Sequence, residues 1–390
     1  MDCRVLYQRT ELDAASRYRT GISLHSHTNQ SRESLDFIVN LGRKIPWIAS
    51  ALDHKVKTCK RNTGVSVDLE RSYWTPPLTP RMALDLERRQ ITEELGLNPL
   101  VSISDHDNIE APAMLAVVEE TKDVPISVEW SAPFQDMLFH FGIHNLPPAK
   151  AGAIMSELAA YTENPQDTRM GELLDFLHSM PEVLIILNHP LWDLYDKGMP
   201  MQLAALNDLL KQHSNLIHAL ELNGLRDWEE NRNVRRLAEG WNMLVISGGD
   251  RHGCEPNATL SLTNASSFAE FVHEVRRDRR SHVLLMRQYG EPMALRVLQT
   301  VLDVIRDYPS HAPGSRRWDG RVFHPQPDGT YLPVSAMWHT GPPKFIEIIL
   351  AIVRLLERRP IRSALRNALR NERKEREVFL ALGSESSVLE

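Results

Sequence analysis

Apolar and polar positions follow two rhythms along this chain, and each rhythm predicts a different element. Short runs rich in Ile, Val and Leu occur at 21–25, 100–104, 124–128, 138–143, 183–187, 218–222 and 243–247. They are apolar throughout rather than at every second position, which predicts strands covered on both faces, as in a parallel sheet. Between them lie stretches with helical period. Residues 80–96 ("PRMALDLERRQITEELG") open on Pro80 and stop at Gly96, as helices commonly do. Residues 109–121, 169–180, 201–213, 227–239 and 267–280 carry the same period. Strands alternating with helices predict a parallel sheet with helices on its faces, and about seven such units suit a closed β/α barrel. An open doubly wound sheet is the alternative. No glycine-rich phosphate loop follows the first strand, so a nucleotide-binding version of that alternative has little support.

Two regions break the rhythm. Residues 36–79 form a long insertion after the first strand, carrying His54, Cys59 and the aromatic pair Tyr73 and Trp74. Its position after a ligand-bearing strand makes it a candidate lid, although packing on the barrel is the favoured use of Tyr73 and Trp74. From about residue 310 the pattern turns irregular and then arginine-rich ("LLERRPIRSALRNALRNERKER"). The expected division is therefore a barrel over 1–309 and an extension over 310–390. Ile361, Leu365 and Leu369 recur at helical spacing among those arginines. Packing on its own domain is the favoured use of such a helix, with contact to nucleic acid as the lesser one.

Composition removes several classes. The chain has 390 residues, 42% hydrophobic and 25% charged, enough apolar material for a large soluble core. A net charge of −6 argues against a protein that coats nucleic acid. Three cysteines, Cys3, Cys59 and Cys254, make no disulfide framework, so a reducing, cytoplasmic setting is expected. The N-terminal segment lacks the apolar core of a signal peptide. The longest apolar run, "FIEIILAIVRLL" at 345–356, is too short and too charged to span a bilayer. No membrane partner is expected.

The chemistry lies where the strands end. The first ends in His25 and His27, two apart and therefore on one side of a strand. The second delivers Asp105, His106 and Asp107; the third Glu129; the fourth His140 and His144; the fifth His189. The sixth carries Glu221, and the seventh ends in Asp250 and His252. In a parallel barrel all strand C-termini open on one face. Imidazoles and carboxylates crowded there are costly unless paired or bound to metal. Each residue alone has a bland explanation as a cap or a satisfied core histidine; the joint pattern points to a metal site. Its ligands exceed the needs of one tetrahedral zinc, so two or three divalent ions sharing a carboxylate are expected. Mixed imidazole and carboxylate donors suit Mn2+, Zn2+ or Fe2+.

The motifs "LHSHT", "SISDHDNIEAP", "VEWS" with "HFGIH", "LNHP" and "GGDRHG" occur in this order over residues 21–253. Together they resemble the PHP family, named for polymerase and histidinol phosphatase. The resemblance implies a distorted seven-stranded TIM-like barrel and a two- or three-metal centre that hydrolyses phosphate esters. It also implies His25, His27, His106, His140, His189, Asp250 and His252 as ligands, Glu129 as the bridging carboxylate, and Asp105 as an orienting or catalytic group. His144 fits the family position less well than His140, and Glu221 is left outside the ligand set. The chain departs from the pattern at Arg32, where the family has a ligand aspartate; Glu33, one residue on, is the substitute. It departs again after His-Pro, where Leu191, Trp192 and Asp193 replace a basic residue. Arg251 and Arg32 are the candidate phosphate clamps. The expected reaction is attack by metal-activated hydroxide on a small phosphorylated metabolite or nucleotide. A 3′–5′ exonuclease, a C–N-cleaving amidohydrolase-like enzyme and a non-catalytic metal-stabilised scaffold are the alternatives. The amidohydrolase reading lacks a strand-end lysine.

Overall fold

The computed structural model describes residues 1–11, 13–35, 71–337 and 344–369, with positions 50, 54, 57, 61 and 68. Most of the candidate lid, Cys59 and the "NERKER" end of the basic tail lie outside the described residues. The strands, in chain order, are β1 (Asp2–Tyr7), β2 (Thr20–Ser23), β3 (Glu33–Ser34), β4 (Tyr73–Trp74), β5 (Asn98–Val101), β6 (Ile126–Phe134) and β7 (Met137–Leu146). There follow β8 (Leu184–Asn188), β9 (Ala219–Asn223), β10 (Leu244–Gly248), β11 (Thr259–Thr263), β12 (Arg280–Leu285), β13 (Val322–Pro325) and β14 (Tyr331–Pro333).

These strands form three separate sheets, so the seven-stranded TIM-like barrel of the PHP type expected above is corrected. One five-stranded sheet runs β1-β12-β11-β2-β5, a second runs β10-β9-β8-β7-β6, and a four-stranded sheet runs β14-β13-β4-β3. Closure requires a hydrogen-bonded ladder that continues round the whole circle. Here the two larger sheets meet through isolated bridges, Ser26 to Arg251 and His106 to Glu129. Strand direction also differs from expectation. β6 and β7 pair antiparallel, as do β7 and β8, and β11 is antiparallel to both its neighbours. For β6 and β7 the cause is the connection length. Only Gln135 and Asp136 separate β6 from β7, and Gln135 has φ of 53°, the left-handed backbone of a tight hairpin. A parallel crossover needs a dozen or more residues. β1, β11 and β12 escaped the apolar pattern because polar residues interrupt them ("DCRVLY", "TLSLT", "RSHVLL").

Helices α1 (Pro80–Gln90), α2 (Glu110–Ala116), α3 (Pro148–Glu163), α4 (Asp167–Ser179), α5 (Met199–His213), α6 (Trp228–Gly240) and α7 (Phe268–Arg276) flank the two larger sheets in sequence. α1 shows why the local sequence folds as it does. The Thr79 side chain caps its first turn by accepting from the Met82 N–H, with Pro80 just inside. The helix widens over Ile91–Leu95 and stops at Gly96, whose φ of 69° suits glycine. Leu84 and Ile91, both wholly buried, sit in one apolar cluster with Val101 and Ile103. Truncating Leu84 to alanine would cost about 2–5 kcal/mol.

Helices α8 (Met293–Ile305), α9 (Val334–Met337), α10 (Lys344–Leu356) and α11 (Arg359–Leu369) belong to the C-terminal third. On α11, Arg362 donates to Gln299 and Arg366 to Glu291, at 2.5 and 2.7 Å. β13 pairs with β4 and β4 with β3, so strand pairing ties the tail to the strand that carries Glu33. Among the described residues, no helix is long and apolar enough to cross a membrane.

Candidate metal centre

The centre is built where β2, β6, β7, β8 and β10 and the segments after them come together. β2 ends at Ser23, and the chain continues through Leu24 to His25 and His27. Glu129 lies inside β6, His140 inside β7, and His189 directly after β8. Asp250 and His252 follow β10. Three of these residues have left-handed backbones: His25 at φ 63°, His189 at φ 25° and Asp250 at φ 51°. Such conformations cost energy in non-glycine residues and persist only when surrounding contacts hold them.

Five imidazoles point at one carboxylate. Glu129 Oε2 lies 2.8 Å from His25 Nε2, 3.3 Å from His27 Nε2 and 3.3 Å from His106 Nε2. Its Oε1 lies 3.2 Å from both His140 Nδ1 and His189 Nε2. Two more carboxylates stand to either side. Asp250 Oδ1 is 3.6 Å from His25 Nε2 and from His27 Nε2. Glu33 Oε2 is 3.4 Å from His106 Nε2 and 3.2 Å from His252 Nε2. All of these side chains are buried except His106 and His252, which are partly exposed.

Their charges depend on one another. Burial alone would lower the His25 pKa, but Glu129, Glu221 and Asp250 overcome it and raise it well above the ordinary value. By the same balance His106 is pushed up to about 10, against burial, by Glu129 and Glu33. His252 is raised to about 9, against burial, mainly by Glu33. Burial opposes ionisation of Glu33, Glu129 and Asp250, yet the imidazoles hold all three well below the carboxylate range. His27 and His140 go the other way: burial lowers each to about 4, leaving neutral rings with free lone pairs. A divalent cation fits this set. His27 Nε2 and His140 Nδ1 are buried and make no hydrogen bond, although a carboxylate oxygen is close to each. Four overlapping groups keep their donor atoms within 4.8 Å of one another: His27, Glu33, His106 and His252; His25, His27 and Glu129; His25, His189 and Asp250; and His106, Glu129 and His140.

The remaining expected site residues sit elsewhere. Both Asp105 oxygens accept hydrogen bonds from Thr28, from its N–H at 2.6 Å and its hydroxyl at 2.7 Å. Burial raises its pKa to about 7 despite those two bonds. Asp107 accepts from the Ser131 N–H at 2.8 Å. His144 turns to the Ser102 hydroxyl at 2.8 Å and joins none of the four groups. The Arg251 guanidinium faces inward, donating to Glu87 at 2.6 Å and to the Gly253 carbonyl at 2.5 Å. Arg32 is exposed, over the Tyr73 ring.

Several residues near the centre were not singled out in the sequence. Asn188 donates to Glu129 Oε1 at 2.9 Å, and the motif "LNHP" already contained it. Arg226 stacks on Trp192, its Cζ 3.6 Å from the ring centre, and Trp192 stands edge-on to His189 at 5.0 Å. Burial lowers the Arg226 pKa against the pull of Glu230, Asp250 and Glu221, which places its charge beside the cluster. The signal was an arginine shortly after the sixth strand ("ELNGLRD").

No family model matches the chain, and no curated protein matches it. Among solved structures, one neighbour is a protein from Bifidobacterium adolescentis provisionally described as a metal-dependent phosphoesterase. It is 14% identical, with a TM-score of 0.33, and the match covers 51% of this chain and 91% of that one. Another is an amidohydrolase from Chromobacterium violaceum with bound sulfate and no metal. It is 15% identical, with a TM-score of 0.31, and the match covers 46% of this chain and 84% of that one.

Proposed function

We propose that this protein is a metal-dependent hydrolase of phosphate esters, of the PHP type, acting on a small phosphorylated metabolite or nucleotide. One observation carries the reading: five imidazoles converge on the single buried carboxylate of Glu129, with Glu33 and Asp250 on either side. That arrangement offers adjacent cation positions sharing one bridging group. His25, His189 and Asp250 would hold one position, and His27, Glu33, His106 and His252 a second. His140 would serve with His106 and Glu129. Divalent ions held there would lower the pKa of water toward neutrality and withdraw electrons from a phosphoryl group.

The rest is the work of the chain's own side chains. Arg226, held flat on Trp192, offers a guanidinium edge that matches phosphoryl oxygens and supplies the positive charge missing after His-Pro. Arg251 anchors the Asp250–His252 segment through its buried pair with Glu87. Asp105 fixes the turn after His27 by holding Thr28 at two points. The acidic net charge of −6 favours a small substrate over a long polyanion.

The test combines elemental analysis of the purified protein with turnover of p-nitrophenyl phosphate, nucleoside monophosphates and short oligonucleotides, with Mn2+ or Zn2+ added. Chelation should abolish turnover, and His25→Ala should reduce it about 100-fold or more. Arg226→Ala should raise KM about tenfold or more with bound metal unchanged. Turnover that survives both chelation and His25→Ala would exclude the reading.

A further inference from the structure

The three cluster residues with left-handed backbones, His25, His189 and Asp250, also form one of the four candidate groups. All three are tied to the same pair of neighbouring side chains on β9. Glu221 Oε1 accepts from His25 Nδ1 at 2.5 Å. Its other oxygen accepts from the His189 backbone N–H at 2.8 Å and from Asn223 Nδ2 at 2.9 Å. Asn223 Nδ2 also donates to Asp250 Oδ2 at 3.1 Å. Glu221 and Asn223 are wholly buried, at 1% and 0% exposure, so water cannot replace these bonds.

The pair is itself held from behind. Asn231 on α6 accepts from the Asn223 N–H and donates to the Asn223 carbonyl, both at 2.9 Å, and donates to the Tyr289 hydroxyl at 2.6 Å. Gly248, across the sheet, leaves no slack. A Cβ there would lie 1.5 Å from Glu221 Oε1, so the carboxylate occupies the space that only glycine leaves open.

We infer that Glu221 and Asn223 are positioning residues that set the His25, His189 and Asp250 group for one particular cation; this rests on the metal-centre reading above. A carboxylate accepting from Nδ1 keeps a proton on that nitrogen, so the nitrogen that would give up its proton to a cation is Nε2, which faces the cluster. The same carboxylate fixes the strained His189 backbone, and Asn223 fixes the Asp250 oxygen that faces away from His27. Among the described residues, the other group, His27, Glu33, His106 and His252, has no hydrogen bond to Glu221 or Asn223. Loss of the pair therefore removes one class of bound ion and spares the other.

The experiment loads wild type, Glu221→Gln and Asn223→Ala with Zn2+ and with Co2+. It measures stoichiometry, affinity by chelator competition, the cobalt visible spectrum and thermal unfolding of the metal-free protein. In Glu221→Gln one class of ion should bind about 10–100-fold more weakly, with the cobalt spectrum altered for that class alone. Asn223→Ala should show a smaller loss of the same class. Nitrogen-15 spectra of zinc-loaded wild type should show His25 protonated at Nδ1 and metal-bound at Nε2, a readout that needs no variant to fold. Wild-type affinities in both variants, or His25 bound through Nδ1, would overturn the inference and leave the metal centre standing. Wild type that takes up no divalent ion would overturn both.

Discussion

Two groups of buried and half-buried histidines, one following β2, β5 and β10 and the other just ahead of β8 and β9, have opposite chemistry. In the first, His25, His106 and His252 sit among carboxylates and are pushed toward the protonated form. In the second, His218 precedes β9 and meets His178 from α4, Nε2 to Nδ1, at 3.1 Å. His218 Nδ1 also accepts from the Ile185 N–H at 2.9 Å. Among the described residues no carboxylate forms an ion pair with either ring, and Asp175 only weakly opposes the lowering of His178. Arg276, beside the pair, donates to the carbonyls of Met180, Val183 and His178. Burial, Arg276 and His178 push the His218 pKa down to about 2. Burial and Arg276 lower His178 too. Both groups pay for burying imidazole, but only the one among carboxylates leaves donor atoms unbonded and negative charge in excess of what neutral rings can answer. Burial alone does not distinguish a structural histidine from a chemical one; the sign of the neighbouring charge does.

The comparison can be broken most forcefully at Glu129. Glu129→Ala removes the group that five imidazoles share, and should cost metal uptake and about 100-fold or more in turnover, while the His178–His218 pair is untouched. Elemental analysis and a phosphate-ester assay check this; full metal occupancy in the variant would mean that Glu129 is not the shared group.

The structural pair should show itself in acid. His218 has a folded pKa near 2 and an unfolded one near 6.5, so its contribution to stability is complete above the unfolded value and is lost as pH falls below it. Between pH 7 and pH 5 that loss is about 2 kcal/mol. Urea unfolding of metal-free protein at both values, wild type against His218→Gln, should show the variant losing that much less. Parallel curves would show that His218 does not titrate on unfolding.

Arg276→Leu should cost about 1–2 kcal/mol, because three carbonyls lose a donor, and should leave metal content unchanged. Thermal unfolding and elemental analysis together separate those outcomes. The smallest effect belongs to the surface, where Arg366 and Glu291 pair with side chains 47% and 28% exposed. Arg366→Ala should change stability by less than about 0.5 kcal/mol and less still in high salt. A larger change would mean that α11 does more than cover α8.

Much of the candidate site could be read from sequence because its residues sit on or just after short apolar runs. His25 and His27 are two apart, and Glu129, His189 and Asp250 each follow or end an apolar run. Glu33 was named only as a substitute for a missing aspartate, and the chain brings it to 3.2 Å from His252 by pairing β3 with β4. Arg251 looked like a phosphate clamp because it stands between two ligand-type residues. In the fold its guanidinium turns away from the cluster to Glu87, 164 positions away, a partner that nothing nearby in the sequence marks. Arg226 went unnoticed because nothing local marks an arginine that will lie on Trp192. The sheet architecture was misjudged for a similar reason. An apolar run says that a strand is covered, but the two-residue link at Gln135 and Asp136 decides that β6 and β7 run antiparallel.

By itself the amino-acid sequence determined which ligand-type side chains stand on or just after the apolar runs, and in what order. Those features depend on short apolar runs and the residues next to them in sequence, so they are written locally. Only the tertiary structure decided that three sheets form in place of one barrel, that Glu129 stands at the middle of the imidazoles, and that the tail pairs with the strand beside Glu33. Each of these depends on contacts between residues tens to hundreds of positions apart, where the free energy of packing and of buried charge is settled by the whole chain at once.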